Sequence, residues 1–202
     1  MSDIVVVDNF FHNLQLKLIE KAVMSLPWTY TDSLSYSNPS IPQEFRKNDK
    51  DIIEEFGGLY HMLMVDNKIV SDHYHQFGNI KSFLENKFNL DIKFIQRMKF
   101  QLTLPLAIQS AKYLIPHADF VEKNSKLIIC YINDCDGDTV IFNELHEEAI
   151  FNSTTINTDK KTIYERCSPV KNKAIMIDSR RLHATSYSRS APRIIMTSNV
   201  LI

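Results

Sequence analysis

Between Phe94 and Leu104 the chain alternates. Phe94, Gln96, Met98, Phe100, Leu102 and Leu104 interleave with Ile95, Arg97, Lys99, Gln101 and Thr103. A period of two belongs to extended backbone, so this is a long strand with one apolar and one mostly polar face, broken by Pro105. Beyond it nearly every signal is again strand: KYLIPHADF, SKLIICYIN, DTVIF, KTIYERC, NKAIMID and RIIMTSNVLI, parted by turn-rich pieces such as NDCDGD and DSRRLH. So many short strands in succession point to a closed or two-sheet β structure.

The first half reads differently. Ile4 to Val7 is a short β-branched run suited to an opening strand. Leu14, Leu18, Ile19, Ala22, Val23 and Leu26 recur at helical spacing until Pro27, and Trp28 to Thr31 follows as a strand. A second helix carries Val70, Tyr74, Phe77, Ile80, Leu84 and Phe88 on one face, with Ser71 and Asp72 in its first turn. Between them, residues 32–50 form a polar stretch with Pro39 and Pro42, expected to be a loop and a candidate lid. The expected class is mainly β with supporting helices (α+β), the helices packed on one sheet. The 202 residues suit a single domain, with 1–90 as helical support and lid loop and 91–202 as the β core.

A net charge of −1 gives no field to gather a polyanion, so nucleic acid is not favoured as a partner. Cys130, Cys135 and Cys167 are odd in number and lack metal-finger spacing, as expected of reduced thiols. The start MSDIVVVDNFF lacks the build of a signal peptide, and no apolar run approaches a membrane span. The expectation is a soluble, cytoplasmic protein, for which the sequon at Asn152 has no bearing.

Chemistry concentrates in the second half. In IPHADF, His117 and Asp119 lie two apart, and on extended backbone they point to the same side. With His183 far downstream they make two imidazoles and one carboxylate. That set leaves coordination positions open on a non-haem Fe(II), and Zn²⁺ accepts the same residues. Arg193, ten residues after His183 at the start of the last strand, offers a fork that pairs bidentately with a carboxylate. A co-substrate gripped at one end by the metal and at the other by this cation is a short diacid, and 2-oxoglutarate has that shape.

His117-Ala118-Asp119, His183 and Arg193 together resemble the HxD…H…R/K pattern of the Fe(II)- and 2-oxoglutarate-dependent oxygenases. The flanks resemble the prolyl-4-hydroxylase branch: LIICYINDCDGDTVIF is similar to its aromatic–aliphatic–Asn triplet with the acidic turn that follows, and IMIDSRRLHATS to its approach to the distal histidine. The resemblance runs from about Arg97 to the end of the chain. It implies a double-stranded β-helix (jelly-roll, cupin-like) core, with His117, Asp119 and His183 as iron ligands and Arg193 on the distal carboxylate. It further implies Tyr131 as a second donor there. Parity agrees, since Leu127, Ile129 and Tyr131 share a face and form an apolar slot ending in a hydroxyl. Thr185 is a further lining candidate, and Asn199, which shares a face with Arg193, a candidate near the metal. Arg97, Gln101 and Arg181 are assigned to the substrate side. The family's tyrosine on the strand before HxD is missing, leaving Gln101, Thr103 or Tyr113 in its place, and the turn reads Gly137-Asp138-Thr139 rather than a double glycine.

The implied cofactors are Fe(II), 2-oxoglutarate and O₂, with ascorbate as a reductant. The implied reaction is hydroxylation of an unactivated C–H with release of succinate and CO₂. A prolyl residue in a peptide or protein is the expected substrate; a free amino acid, a small metabolite or an alkylated nucleobase are alternatives within the same chemistry. A non-catalytic metal-binding β-barrel is the alternative outside it. His73 and His75, two apart on a helix, do not share a face and read as solvated surface, as does His146. Arg180 and Arg181 either meet an acidic substrate or pair with Asp178. Cys130 reads as core, and Ser186 and Ser188 lack a hydrolase context.

Overall fold

The computed structural model describes residues 4–32, 57–106, 113–114, 116–120, 122–145 and 162–202. In chain order the elements are β1 (Ile4–Val7), α1 (Asn13–Val23), β2 (Thr29–Thr31), β3 (Gly58–Val65), β4 (Lys68–Ile69), a 3₁₀ helix (Asp72–Phe77) and α2 (Ile80–Phe88). The β core follows with β5 (Phe94–Thr103), β6 (Ser125–Tyr131), β7 (Thr139–Leu145), β8 (Ile163–Cys167), β9 (Ala174–Asp178), β10 (Arg181–Thr185) and β11 (Arg193–Leu201). The described residues form an eight-stranded antiparallel sheet in the order β1-β9-β6-β11-β5-β3-β2, with β4 hairpinned onto β3, and a three-stranded sheet β10-β7-β8. His117 adds a bridge to His183 on the free edge of β10, so the HxD segment joins the small sheet there rather than forming the full strand expected. Because β1 pairs with β9 and β3 with β5, the two halves of the chain share one sheet.

Alternation sorts the large sheet into two faces. Met98 and Phe100 of β5, Ile128 and Cys130 of β6, Met176 of β9 and Met196 and Val200 of β11 pack with the helices in one core cluster. From α1 come Leu16, Ile19 and Val23, and from α2 come Ile80, Leu84 and Phe88. Leu14 and Leu18 of the expected α1 stripe are exposed instead. The helix carries two apolar stripes, and only the one at 16, 19, 23 and 26 turns toward the sheet. The opposite sheet face, with Leu127, Ile129, Tyr131, Ile175, Ile177 and Ile195, packs against Ile141 and Cys167 of the small sheet. The candidate site lies on this inter-sheet side.

The expected second helix is split. Gly78 takes φ 71 and ψ −156, which parts the 3₁₀ helix from α2. Asn79 then restarts the chain as a cap, its side chain accepting from Ser82 N at 3.3 Å, and Asn89 ends it with a left-handed φ of 51. Three strands were not expected from the sequence, β3, β4 and β10, and the last carries His183 where the sequence reads as a turn. Of the candidate lid at 32–50 all but Asp32, together with His146 and Asn152, lies outside the described residues. Among the described residues no helix is long and apolar enough to cross a membrane.

Candidate metal centre

His117, Asp119 and His183 converge: one ligating atom from each lies within 4.8 Å of the others. The His117–His183 bridge causes this. Each histidine's N–H donates to the other's carbonyl at 2.9 Å, which sets the imidazoles side by side with ring centroids 4.5 Å apart. A register shift in β10 between Arg181 and His183 re-aims the second ring. Its Nδ1 lies 3.0 Å from Arg181 O, so Nδ1 carries the proton and Nε2 keeps a lone pair for a metal.

Asp119 is held from both sides. Arg97 Nη2 donates to Oδ1 at 3.0 Å, and Asn199 Nδ2 donates to Oδ2 at 2.9 Å. Arg97 and Asn199 are cross-strand partners of β5 and β11, so the sheet itself presents both donors. Burial alone would push this carboxyl up. The Arg97 guanidinium beside it holds it well below the usual carboxylate range. Each carboxylate oxygen keeps a lone pair, so an ionised ligand with fixed orientation is ready for a cation. Two neutral imidazole nitrogens and one carboxylate oxygen at this separation are a donor set that ferrous iron accepts.

At the other end of the inter-sheet space lies Arg193, 3 % exposed. Its Nε donates to Gly137 O at 2.9 Å and its Nη2 to Thr139 Oγ1 at 2.7 Å. The acidic turn after β6 is built around it. Asn133 donates to Pro192 O at 2.7 Å and accepts from Ile194 N at 2.9 Å, bracketing the arginine on its strand. Gly137 has no room for a side chain, because a Cβ there would meet Ser186 O and Ser188 N at 2.8 Å and Arg193 Cδ at 3.3 Å. Burial lowers the guanidinium's pKa from its ordinary value, but it remains a cation.

Between the two ends runs a cleft of about 560 Å³, solvent at its mouth included. Gln101, Leu127, Ile129, Thr185 and Arg193 line it together with the triad. Tyr131 stands one layer back. Its hydroxyl donates to Thr139 Oγ1 at 2.8 Å, and its ring lies 5.8 Å from the Arg193 guanidinium carbon, so Thr139 is the hydroxyl that faces the cleft. Arg97 reaches Asp119, Asn199 touches the same carboxylate, and Arg181 donates to the carbonyls of Phe142 and Asn143 at 3.0 and 3.1 Å rather than lining the cleft. Tyr113 packs edge-on against Phe142. Arg180 pairs with Asp178.

Sequence reasoning missed Lys99, Thr139 and Thr197 as lining residues. Parity held the signal for two of them: 97, 99, 101 and 103 share a face of β5, and 193, 195, 197 and 199 share the facing side of β11. Lys99 is 9 % exposed, and burial, with Arg97 adding to it, lowers its ammonium pKa to about 8. The hydroxyl oxygens of Thr103 and Thr197 are buried without a hydrogen-bond partner.

No family model matches the sequence, and no curated protein matches it. Solved structures do match by shape. An oxidoreductase of the 2OG-Fe(II) oxygenase family from Burkholderia pseudomallei aligns over 98% of this chain and 85% of its own, at a TM-score of 0.65 and 13% identity. A Trichoplax adhaerens prolyl hydroxylase in complex with a hypoxia inducible factor peptide aligns over 100% and 84%, at 0.61 and 12%. The non-heme alpha ketoglutarate dependent epimerase SnoN of nogalamycin biosynthesis aligns over 98% and 76%, at 0.62 and 10%. The chain has the jelly-roll fold of the 2-oxoglutarate–Fe(II) oxygenases.

Proposed function

We propose that this chain is an Fe(II)- and 2-oxoglutarate-dependent oxygenase. The observation that carries the reading is a His117–Asp119–His183 cluster within 4.8 Å at one end of a cleft whose other end holds a buried arginine. Iron and 2-oxoglutarate bound there would supply O₂ activation coupled to decarboxylation to succinate and CO₂, and with it oxidation of a C–H bond, ascorbate serving as reductant. His117, Asp119 and His183 hold the metal. Arg97 and Asn199 fix the Asp119 carboxylate, and the Arg181 carbonyl fixes the tautomer of His183. Arg193 and Thr139 receive the distal carboxylate, Tyr131 braces Thr139, and Leu127 and Ile129 form the apolar wall beside the carbon chain. Gln101 and Thr185 complete the lining.

A prolyl residue in a peptide is the first substrate to test, because prolyl hydroxylases are among the structures of this fold. The shared fold of SnoN keeps small molecules in the panel. The purified protein, given Fe(II), ascorbate and 2-oxoglutarate, is expected to release succinate. Asp119→Ala is expected to release none and to retain no stoichiometric metal. Succinate formation by Asp119→Ala at the wild-type rate would remove Asp119 from the centre. No succinate from the wild-type protein with any peptide or metabolite would favour a metal-binding module without catalysis. A mass gain of one oxygen identifies the substrate.

A further inference from the structure

The cleft contains a cation that the reading above does not use. Lys99 sits on β5 with its side chain among the lining residues, nine-tenths buried, and no hydrogen bond or ion pair engages its ammonium among the described residues. An ammonium largely withdrawn from water and without a hydrogen bond is costly, so an anion that reaches it is favoured.

Its place along the sheet is informative. Down the inter-sheet face of β5 and β11 the paired positions are Thr103 with Arg193, Gln101 with Ile195, Lys99 with Thr197, and Arg97 with Asn199. The first pair marks the distal-carboxylate end and the last grips Asp119. Lys99 and Thr197 therefore occupy the step next to the metal end. Thr197, the cross-strand partner of Lys99, also lines the cleft, and its Oγ1 is buried without a hydrogen-bond partner.

Charge points the same way. Among the described residues around the cleft, Arg97, Lys99 and Arg193 face a single carboxylate, Asp119. Asp138, close to Arg193, is turned to Ser168 and Arg166. A divalent metal ion and a dianionic co-substrate cancel each other and leave the cationic excess in place.

We propose that Lys99, with Thr197 and Gln101 beside it, is a second carboxylate subsite in this cleft, adjacent to the metal end. The carboxylate comes either from the metal-proximal end of the 2-oxo diacid or from an acidic group on the prime substrate. The proposal rests on the oxygenase reading, and the experiment separates the two. Calorimetry on the full chain loaded with Mn(II) under anaerobic conditions compares wild type, Lys99→Met, Lys99→Arg and Arg193→Met.

In the first arm 2-oxoglutarate is titrated. A loss of affinity of about tenfold or more in Lys99→Met, restored in part by Lys99→Arg, assigns the subsite to the co-substrate. In the second arm 2-oxoglutarate is held saturating and glutarate is added as a probe for a further acid. Unchanged 2-oxoglutarate affinity, with glutarate binding that falls about tenfold in Lys99→Met, assigns it to the prime substrate. Affinities that do not depend on Lys99 in either arm overturn the proposal. If instead wild type fails to bind 2-oxoglutarate, or Arg193→Met binds it as well as wild type does, the oxygenase reading falls and this inference with it. Lys99→Met exchanges an unpaired ammonium for an apolar chain of similar length, so its thermal midpoint is expected to be no lower than that of wild type.

Discussion

Arg193→Met tests the anion end of the cleft. The guanidinium is buried and already tied to Gly137 O and Thr139 Oγ1, which fixes its plane before any ligand arrives. A carboxylate meeting a preset guanidinium makes charge-assisted hydrogen bonds, each contributing about 1.5–3 kcal/mol. Little reorganisation offsets them here, so the loss on substitution is taken as about 3 kcal/mol, or roughly a hundredfold in affinity. Lysine in the same place keeps the charge and loses the fork, so Arg193→Lys should fall between the two, at about tenfold. The assay is 2-oxoglutarate dependence of succinate release, with direct binding to the Mn(II)-loaded protein beside it. Because the residue sits at the end of the cleft away from the triad, KM should rise far more than kcat falls. A folded Arg193→Met whose KM and Kd both stay within about threefold of wild type would refute the reasoning, since no buried charge-assisted contact is that weak.

The turn that carries this arginine should be equally sensitive: Gly137→Ala forces a methyl against two backbone atoms, costing about 1–3 kcal/mol by chemical denaturation, and weakens 2-oxoglutarate binding by displacing the carbonyl on Arg193. Asn172 has φ 66, accepts from Phe11 N at 2.6 Å and donates to Phe11 O at 3.0 Å, pinning the start of the chain to the β8–β9 turn. Asn172→Ala leaves two buried backbone groups unpaired in a left-handed position, a loss on the order of 3–5 kcal/mol, seen as a fall in Tm of about 10 °C. Lys99 should leave a signature in pH-dependent stability of the metal-free protein. Its folded pKa, about 8, lies below the ordinary 10.5, so between those values the unfolded chain binds the proton and the folded chain does not. Stability of wild type relative to Lys99→Met should therefore rise with pH across that window and be lowest below it; a flat difference would show that the ammonium is not desolvated.

Much of the candidate site was legible because its chemistry lies on alternating backbone. The strand from Phe94 and the closing strand from Arg193 both announce which residues share a face, and the facing pairs Arg97 with Asn199 and Lys99 with Thr197 follow once the strands are adjacent. What alternation leaves open is which side is interior. On the polar face of β5, Arg97 and Gln101 are assigned to the substrate side, and Lys99 between them shares that face and lines the cleft with no motif to single it out. β3, GLYHMLMV, is apolar on both faces because helices cover one side, and a run without alternation gives no strand period. β10 is short and flanked by arginines, so its local composition resembles a turn; pairing with β7 overrides it. The helical face from Val70 to Phe88 keeps its apolar spacing across Gly78, which is why one helix was expected where backbone conformation makes two. Tyr131 was assigned by analogy to the ligand's edge, while its bond to Thr139 sets it behind that edge.

The arginine that meets one end of the cleft and the asparagine that steadies the opposite end are residues of a single strand, β11. The span available to an occupant is thus ruled off by covalent backbone, with a fixed rise of about 3.3 Å per residue, and not by the reach of adjustable loops. A side-chain exchange can blunt either grip but cannot lengthen the ruler. Inserting one residue between them would do something different in kind, turning one of the two grips onto the helix-covered face, so tolerance of acids of other lengths has to come from elsewhere in the cleft.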